Sequence, residues 1–170
     1  MIKKPIKTTR LKLREIEDTD RDHLIDIFMD DTVKQTYMLP DFASREEAGQ
    51  LFERIRELSR REDRYVFGVS YQGTLIGLIN DVEILDKSIE VGYAFHPKYY
   101  NQGFATEALS AMIAYLFDKG FEEVIAGAFE ENAASMRVMQ KCGMKKIEKT
   151  DQIDYRNKTH LCIYYSISPL

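Results

Sequence analysis

The chain has 170 residues, of which 44% are hydrophobic and 31% charged, the size and composition of one globular domain. We therefore expect a single domain over residues 1–170. The formal net charge of -4 offers no general attraction for polyanions, so binding to nucleic acid or to an anionic membrane surface is not expected.

The first twenty residues lack the apolar stretch of a signal peptide, and no later stretch approaches the length of a membrane span. We therefore expect a cytoplasmic protein. The two cysteines, Cys142 and Cys162, have neither a C-x-x-C nor a metal-ligand spacing. They are expected to be buried, reduced thiols, and no metal is expected.

The amino-terminal third predicts one strand and two helices. Alternation over Thr8–Ile16 predicts the strand, and the N-cap residue types at 17–20 predict a helix directly after it. Ser44 and Glu47 form an S-x-x-E capping box, in which each side chain satisfies the other residue's amide, and this box predicts the start of the second helix.

Three β-rich runs follow, and their spacing predicts an antiparallel meander. The pair Gln72-Gly73 suits a tight hairpin between the first two runs. The runs are Arg64–Tyr71, Thr74–Ile84 and Ser88–Phe95.

The second half begins with a strong helical pattern. Apolar residues recur at three- and four-residue steps from Gly103 until Lys119-Gly120. A strand and a short helix, capped by Asn132, are expected next, followed by two strands. These three strands are predicted at Glu123–Phe129, Met144–Thr150 and Lys158–Ile167.

The order strand, helix, strand between Glu90 and Phe129 implies a parallel crossover inside an otherwise antiparallel sheet, because a parallel pair needs a long connection. The fold class is therefore mixed α/β (α+β). Mixed sheets tend to bind ligands at such a junction.

The loop that opens the long helix suits a phosphate. The free amides and dipole of a first helical turn favour negative charge, and Gly103 allows close approach to the backbone. The loop matches neither G-x-x-x-x-G-K-[ST] nor G-x-G-x-x-G, which argues against nucleotide hydrolysis and dinucleotide binding.

Several stretches together resemble the GNAT acetyltransferase superfamily, most closely its Rim-type, ribosomal-protein N-terminal acetyltransferase branch. Residues 100–105 take the place of the [QR]-x-x-G-x-[GA] loop, with Tyr100 at the first position, and residues 103–108 read G-F-A-T-E-A. Residues 132–144 resemble N-x-x-S-x-x-x-x-x-K-x-G-F, and residues 9–14 resemble the opening T-x-R-L-x-L-R.

This resemblance implies a GNAT-like fold: about seven mostly antiparallel strands with a splayed parallel pair, and about four helices. It also implies acetyl-CoA as cofactor, CoA as product and no metal. The residues implied in cofactor binding are Tyr93, Ala94, Phe95, Tyr100, Asn101, Gln102, Gly103, Phe104, Ala105, Thr106, Asn132 and Ser135.

Direct attack of a neutral amine on a thioester requires a base and stabilisation of the departing thiolate. Glu90 is the candidate base, and the weaker candidates are Glu83, Asp81, His96 and Tyr164. The tyrosine that many GNAT enzymes use as thiolate acid corresponds here to Met139, which has no proton to give. Ser135 is the second catalytic candidate, through the CoA sulfur.

Each of these residues also has a structural interpretation that the sequence leaves open. Glu90 could be a solvated strand carboxylate, Asn132 an N-cap alone, and Ser135 a helix-surface hydroxyl.

The predicted activity is acetyl transfer to a primary amine, specifically a protein N-terminal amine of the ribosomal-protein-alanine type. The alternatives are a small-molecule amine, polyamine or antibiotic as acceptor, or an acetyl-CoA-binding module without turnover. A monomer or a homodimer is expected.

Overall fold

The computed structural model describes residues 3–170 and divides into two compact units. The first unit comprises the chain up to Asn80 together with Tyr93–Ala108, and the second comprises Asp81–Gly92 together with Leu109–Leu170. Two strands and one helix have residues in both units.

The first unit holds two short strands, three helices, a third strand and the start of a fourth. These elements are β1 (Ile6–Lys7), β2 (Leu11–Arg14), α1 (Arg21–Met29), α2 (Asp31–Lys34), α3 (Arg45–Arg60), β3 (Val66–Tyr71) and β4 (Thr74–Leu85).

The remaining elements alternate between strand and helix and then end in a hairpin. They are β5 (Ser88–Phe95), α4 (Phe104–Asp118), β6 (Glu123–Phe129), α5 (Ala133–Lys141), β7 (Lys145–Tyr155) and β8 (Lys158–Ile167).

Hydrogen bonding orders the strands β1-β2-β3-β4-β5-β6-β8-β7. The pair β5–β6 is parallel, from Ser88 opposite Glu123 to Val91 opposite Ala126, whereas β2–β3, β3–β4, β6–β8 and β7–β8 are antiparallel. The predicted mixed α/β class with one parallel crossover is confirmed. The described chain has eight strands and five α-helices, one more of each than expected.

The core of the first unit lies where α1 and α3 cover the sheet. Phe28 of α1 and Phe52 of α3 are almost completely buried, and Leu78 of β4 belongs to the same cluster. The helix α3 begins after Ser44, whose side chain accepts a hydrogen bond from the Glu47 amide, as predicted. The reciprocal bond differs, because the Glu47 carboxylate accepts from the amide of Ala43 and not from that of Ser44.

The predicted strand Thr8–Ile16 is too long at both ends, since β2 covers only Leu11–Arg14. At the amino-terminal end the cause is a tight turn, in which the Thr8 amide donates to the Leu11 carbonyl and the Leu11 amide donates to the Thr8 hydroxyl. Residues 8–10 therefore leave the extended conformation. Leu11 and Leu13 are buried, in keeping with one inward face.

The second unit has its own cluster of buried residues between β6 and the β7–β8 hairpin. Phe129, Cys162 and Tyr164 form its centre. The strand β7 continues to Tyr155, five residues beyond the predicted end, because the reversal occurs only at Arg156-Asn157, both with positive φ.

None of the helices over residues 3–170 is both long and apolar enough to cross a membrane. Within the same residues, no group of three or more His, Cys, Asp or Glu side chains is arranged to hold a metal ion. Burial raises the pKa of the Cys142 thiol to about 11, so it is protonated at neutral pH.

Candidate functional site

The loop between β5 and α4 is built from local hydrogen bonds. His96 Nδ1 accepts from the Lys98 amide at 3.1 Å and so caps a short 3-10 turn over Pro97–Tyr99. Asn101 and Gly103 then take positive φ angles of 61° and 80°. These two residues turn the backbone into the first turn of α4.

Phe104, the first residue of α4, fixes the helix start to the body of the first unit. Its ring is 2% exposed and lies 4.7 Å from the ring of Tyr71 and 6.2 Å from that of Tyr99. The guanidinium of Arg10 covers the Phe104 ring at 4.3 Å from its centroid. The orientation of the first helical turn is therefore set by aromatic packing.

The Glu107 carboxylate ties the same turn to the loop before β2. One oxygen accepts from the Thr8 hydroxyl at 2.5 Å and from the Arg10 amide at 2.9 Å, and the other accepts from Arg10 Nε at 2.8 Å. We call this set of contacts the Glu107 clamp. Burial alone would raise the pKa of Glu107, but these hydrogen bonds and the Arg10 charge outweigh it, and the net shift is downward.

Arg10 also lies beside the glycine of the loop. A Cβ added to Gly103 would lie 3.3 Å from Arg10 Nη2, which shows how close a guanidinium nitrogen comes to this part of the backbone. Backbone amides of a first helical turn and a guanidinium are the donors that phosphate oxygens prefer.

The end of β5 is held close to β4 by Gly77. A Cβ there would come within 2.5 Å of the Phe95 ring and 2.8 Å of the Ala94 carbonyl oxygen. The His96 amide donates to the Ile76 carbonyl at 3.0 Å. Ala94 and Phe95 are buried and Tyr93 is partly exposed.

The predicted cofactor-binding residues divide between the two units. The first unit brings together one sequence-continuous group at the end of β5, the loop and the start of α4, namely Tyr93, Ala94, Phe95, Tyr100, Asn101, Gln102, Gly103, Phe104, Ala105 and Thr106. Glu90, Asn132 and Ser135 belong to the second unit.

Glu90 is half-buried within the second unit, in a group of charged residues. Burial raises the pKa of its carboxyl, Lys149 opposes that rise, and the neighbouring carboxylates Glu83 and Asp151 add to it. The net shift is upward, toward the range in which a carboxylate is an effective general base.

Tyr164 is buried beside this group. Its hydroxyl donates to Asp151 Oδ2 at 2.8 Å, and Lys149 Nζ lies 4.5 Å from the centroid of its ring. Burial and the bond to Asp151 both raise the pKa of Tyr164, so the phenol keeps its proton at neutral pH. Tyr164 is therefore a poor candidate for the base.

Sequence reasoning missed Asp151 because β7 was predicted to end at Thr150. It missed Lys149, which lies inside the predicted strand, because its proximity to Glu90 depends on the pairing of the strands. The turn at Arg156-Asn157, where both residues have positive φ, determines where β7 ends. A two-residue turn there fixes the register that sets Asp151 opposite Cys162.

Asn132 caps α5, as the sequence predicted. Its Oδ1 accepts from the Ser135 amide at 3.2 Å, which leaves Nδ2 and the second lone pair of Oδ1 for a contact with pantetheine. Ser135 is partly exposed in the first turn. Met139 is completely buried and belongs to the core.

The weaker base candidates have distinct surroundings. Glu83 is exposed on β4 next to Glu90's group, and Asp81 is buried with 4% of its surface exposed. His96 shapes the loop as the cap of its 3-10 turn. These contacts leave Glu90 as the half-buried carboxylate with an upward-shifted pKa.

The chain matches known proteins over most of its length. A family model described as Acetyltransferase (GNAT) domain matches residues 10–145. The uncharacterized N-acetyltransferase YoaA of Bacillus subtilis is 31% identical over 159 residues, covering 91% of this chain and 90% of YoaA.

Solved structures agree with this match. A GNAT-family acetyltransferase from Bacillus anthracis has a TM-score of 0.83 and 28% identity, covering 97% of this chain and 98% of its own. A Vibrio cholerae protein assigned as a ribosomal-protein-serine acetyltransferase has a TM-score of 0.78 and 25% identity, covering 98% of both chains.

Proposed function

Because the chain belongs to the GNAT acetyltransferase family, we propose that the loop from His96 to Gly103 holds the diphosphate of acetyl-CoA and that Glu90 serves as base for the acceptor amine. The chain is an acetyl-CoA-dependent N-acetyltransferase of this family.

The donors of the first unit suit a diphosphate. The observation that carries the proposal is Gly103 at φ 80°, directly before the 15-residue helix α4, with Arg10 Nη2 beside it. A residue with a side chain would be strained there, and its Cβ would meet the guanidinium. The positive end of the helix dipole and the Arg10 charge act in the same direction on an anion.

Acetyl-CoA supplies the acetyl thioester, and this chain's residues must make the amine nucleophilic. An ammonium group has to lose a proton before it can attack, and Glu90 is the half-buried carboxylate with a raised pKa. The neighbouring carboxylates Glu83 and Asp151 favour the approach of a cationic amine. We assign proton removal to Glu90, directly or through water.

The departing thiolate of CoA needs a proton or a hydrogen bond, and α5 is the helix that could supply it. Met139 is fully buried and has no exchangeable proton. Ser135, partly exposed in the first turn of α5, remains our candidate for a hydrogen bond to the CoA sulfur. Asn132 Nδ2 is the candidate donor to pantetheine, since it carries the N–H groups of the amide while Oδ1 accepts the cap hydrogen bond.

We propose a protein N-terminal amine as the acceptor. Support comes from the Vibrio cholerae protein assigned as a ribosomal-protein-serine acetyltransferase, which is similar over 98% of both chains. A small amine is the alternative within the same chemistry.

An acceptor screen with mass spectrometry separates these functions. The purified chain and acetyl-CoA are incubated with a peptide carrying a free amino terminus, with the same peptide blocked at that terminus, and with a polyamine. We expect one acetyl group on the free peptide and none on the blocked one. Acetylation of the polyamine alone would contradict the proposed acceptor, and so would the absence of product on the free peptide.

A further inference from the structure

The ring of Tyr164 lies against the backbone of β6, because β6 has a glycine at the facing position. Tyr164 pairs with Gly127, and a Cβ on Gly127 would come within 2.8 Å of the Tyr164 Cε1 atom. The hydroxyl of the same ring donates to Asp151 Oδ2 at 2.8 Å. Close packing on β6 and a hydrogen bond to β7 therefore fix the position of this buried ring.

Lys149 lies over the ring of Tyr164. Its Nζ is 4.5 Å from the ring centroid, a cation–π distance, although the residue as a whole is exposed. An exposed lysine ordinarily samples many rotamers, and contact with a fixed aromatic face restricts them. The ammonium group therefore has a defined position on the sheet.

The register of the strands places the Tyr164 ring on the same face of the sheet as Glu90. Glu90 pairs with Ile125 in the parallel pair β5–β6, and Gly127 is two residues further along β6. Residues two apart on a strand share a face, and so do paired residues on neighbouring strands. Glu90, the Tyr164 ring and the ammonium over that ring are thus on one face, within the second unit.

The surroundings of Glu90 contain more negative than positive charge. The carboxylates of Glu83 and Asp151 add to the upward shift of the Glu90 pKa, and Lys149 is the cation that opposes it. Burial raises the pKa of both the thiol and the phenol nearby, so these two groups are neutral. The titratable groups around Glu90 come from β4, β7 and β8 and are Glu83, Lys149, Asp151, Cys162 and Tyr164.

We propose that Lys149, held over the Tyr164 ring, is a positioning residue for Glu90, whose carboxylate its ammonium keeps ionised and able to accept a proton. The inference rests on the proposed function, in which Glu90 is the base. Half-burial and two neighbouring carboxylates favour the protonated form of Glu90, which cannot take a proton from the acceptor amine. Lys149 offsets that effect through Glu90 and need not touch the acceptor.

The test follows the pH at which Glu90 titrates. Carbon-13 NMR of the Glu90 carboxyl measures its pKa directly, and the acidic limb of kcat/KM for a peptide with a free amino terminus reports the same group in catalysis. Lys149→Met removes the positive charge and favours the protonated carboxyl. Both readouts should therefore move to higher pH, by roughly half a unit to one unit at low ionic strength.

Two further variants distinguish a charge effect from a loss of packing. Lys149→Arg keeps a cation that can lie on the Tyr164 ring and should restore the wild-type profile. Asp151→Asn removes a negative charge but keeps an acceptor for the Tyr164 hydroxyl. Its profile should move in the opposite direction, to lower pH.

The matched control is Lys146→Met, on the same strand as Lys149. Lys146 is also exposed, but it pairs with Tyr165, which lies on the other face of the sheet from its neighbour Tyr164. The substitution takes the same charge from β7 and should leave both readouts at their wild-type values.

Equal Glu90 pKa values in wild type and Lys149→Met, or equal shifts in Lys149→Met and Lys146→Met, would overturn the inference while leaving Glu90 as the base. Failure of the proposed function gives a different result, because Glu90→Gln would then keep the acidic limb or the wild type would acetylate no peptide. In that case Lys149 has no base to position, and the inference falls with the function.

Discussion

The carboxylate of Glu90 links the proposed chemistry to pH. Burial raises its pKa, with Lys149 opposing and Glu83 and Asp151 adding to the rise. Between the ordinary pKa of glutamate and this raised value, the folded state binds more protons than the unfolded state. The free energy of unfolding therefore falls as pH rises through that window, and the cost remains at neutral pH.

Replacing Glu90 with Gln should separate catalysis from stability. We expect the rate of acetyl transfer at neutral pH to fall by about a hundredfold or more, because a general base is lost. The acidic limb of the pH–rate profile should disappear, while the free energy of unfolding at neutral pH should be unchanged or higher.

The matched control is Glu122→Gln, an exposed glutamate of the same unit that pairs with Lys87. It should change neither the rate nor the profile. Initial-rate assays over a pH series measure the pH–rate profile, and urea unfolding measures the free energy of unfolding. An acidic limb that persists unaltered in Glu90→Gln would show that another group is the base.

Predictions for single residues were correct where a contact between near neighbours in the sequence determines the structure. Asn132 was predicted as an N-cap and caps α5, because its amide reaches the Ser135 amide. Asp151 and Lys149 were missed, since their proximity to Glu90 depends on the register of β7 against β8. Register depends on where the hairpin turns, and the turn at Arg156-Asn157 lacks the glycine that usually signals one.

At the scale of elements, the Glu107 clamp connects the start of α4 to the turn before β2. The two segments that it joins, residues 8–10 and the first turn of α4, lie about a hundred residues apart in the sequence. The clamp explains why each segment carries a charged residue. Its hydrogen bonds stabilise the folded state above the ordinary pKa of glutamate. That contribution is lost as pH falls through the lowered pKa of Glu107.

Glu107→Gln should therefore lower the free energy of unfolding at neutral pH by about 1–2 kcal/mol, since charged acceptors give way to a neutral amide. The difference from wild type should shrink as the pH falls below the glutamate range. Urea unfolding at several pH values measures it.

Glu46→Gln is the control for Glu107→Gln, because Glu46 also occupies the first turn of a long helix but is exposed. It should cost only a few tenths of a kcal/mol, the contribution of the helix dipole. If the two variants lose the same free energy of unfolding, the Glu107 clamp contributes no more than the interaction of a carboxylate with the helix dipole.

The elements themselves were largely predictable, since periodicity and turn residues determine them locally. The hairpin at Gln72-Gly73 and the helix ending before Gly120 formed as expected. The predicted strand over Thr8–Arg10 was wrong because Thr8 bonds to Leu11 and Glu107. The second of these contacts is long-range, and no local pattern contains it.

At the scale of the whole molecule, strand order and family agree. The order strand, helix, strand predicted the parallel pair β5–β6, and the family match over residues 10–145 includes parts of both compact units. The expectation of one domain over residues 1–170 stays a prediction. Its direct measurement is whether the chain unfolds in one cooperative transition.

The account depends most on the claim that the backbone around Gly103 receives the diphosphate. Titration of acetyl-CoA into wild type, Gly103→Ala and Gly73→Ala tests this claim. The two glycines have nearly equal φ angles, 80° and 83°, so alanine is similarly strained at both, and around Gly73 nothing lies within 4 Å of an added Cβ.

We predict measurable binding to the wild type, equal affinity for Gly73→Ala, and affinity weaker by about tenfold or more for Gly103→Ala, where the methyl group occupies the approach of the phosphate. Well-folded wild-type protein that gives no heat with acetyl-CoA, or a Gly103→Ala variant that binds as tightly as Gly73→Ala, would contradict the account.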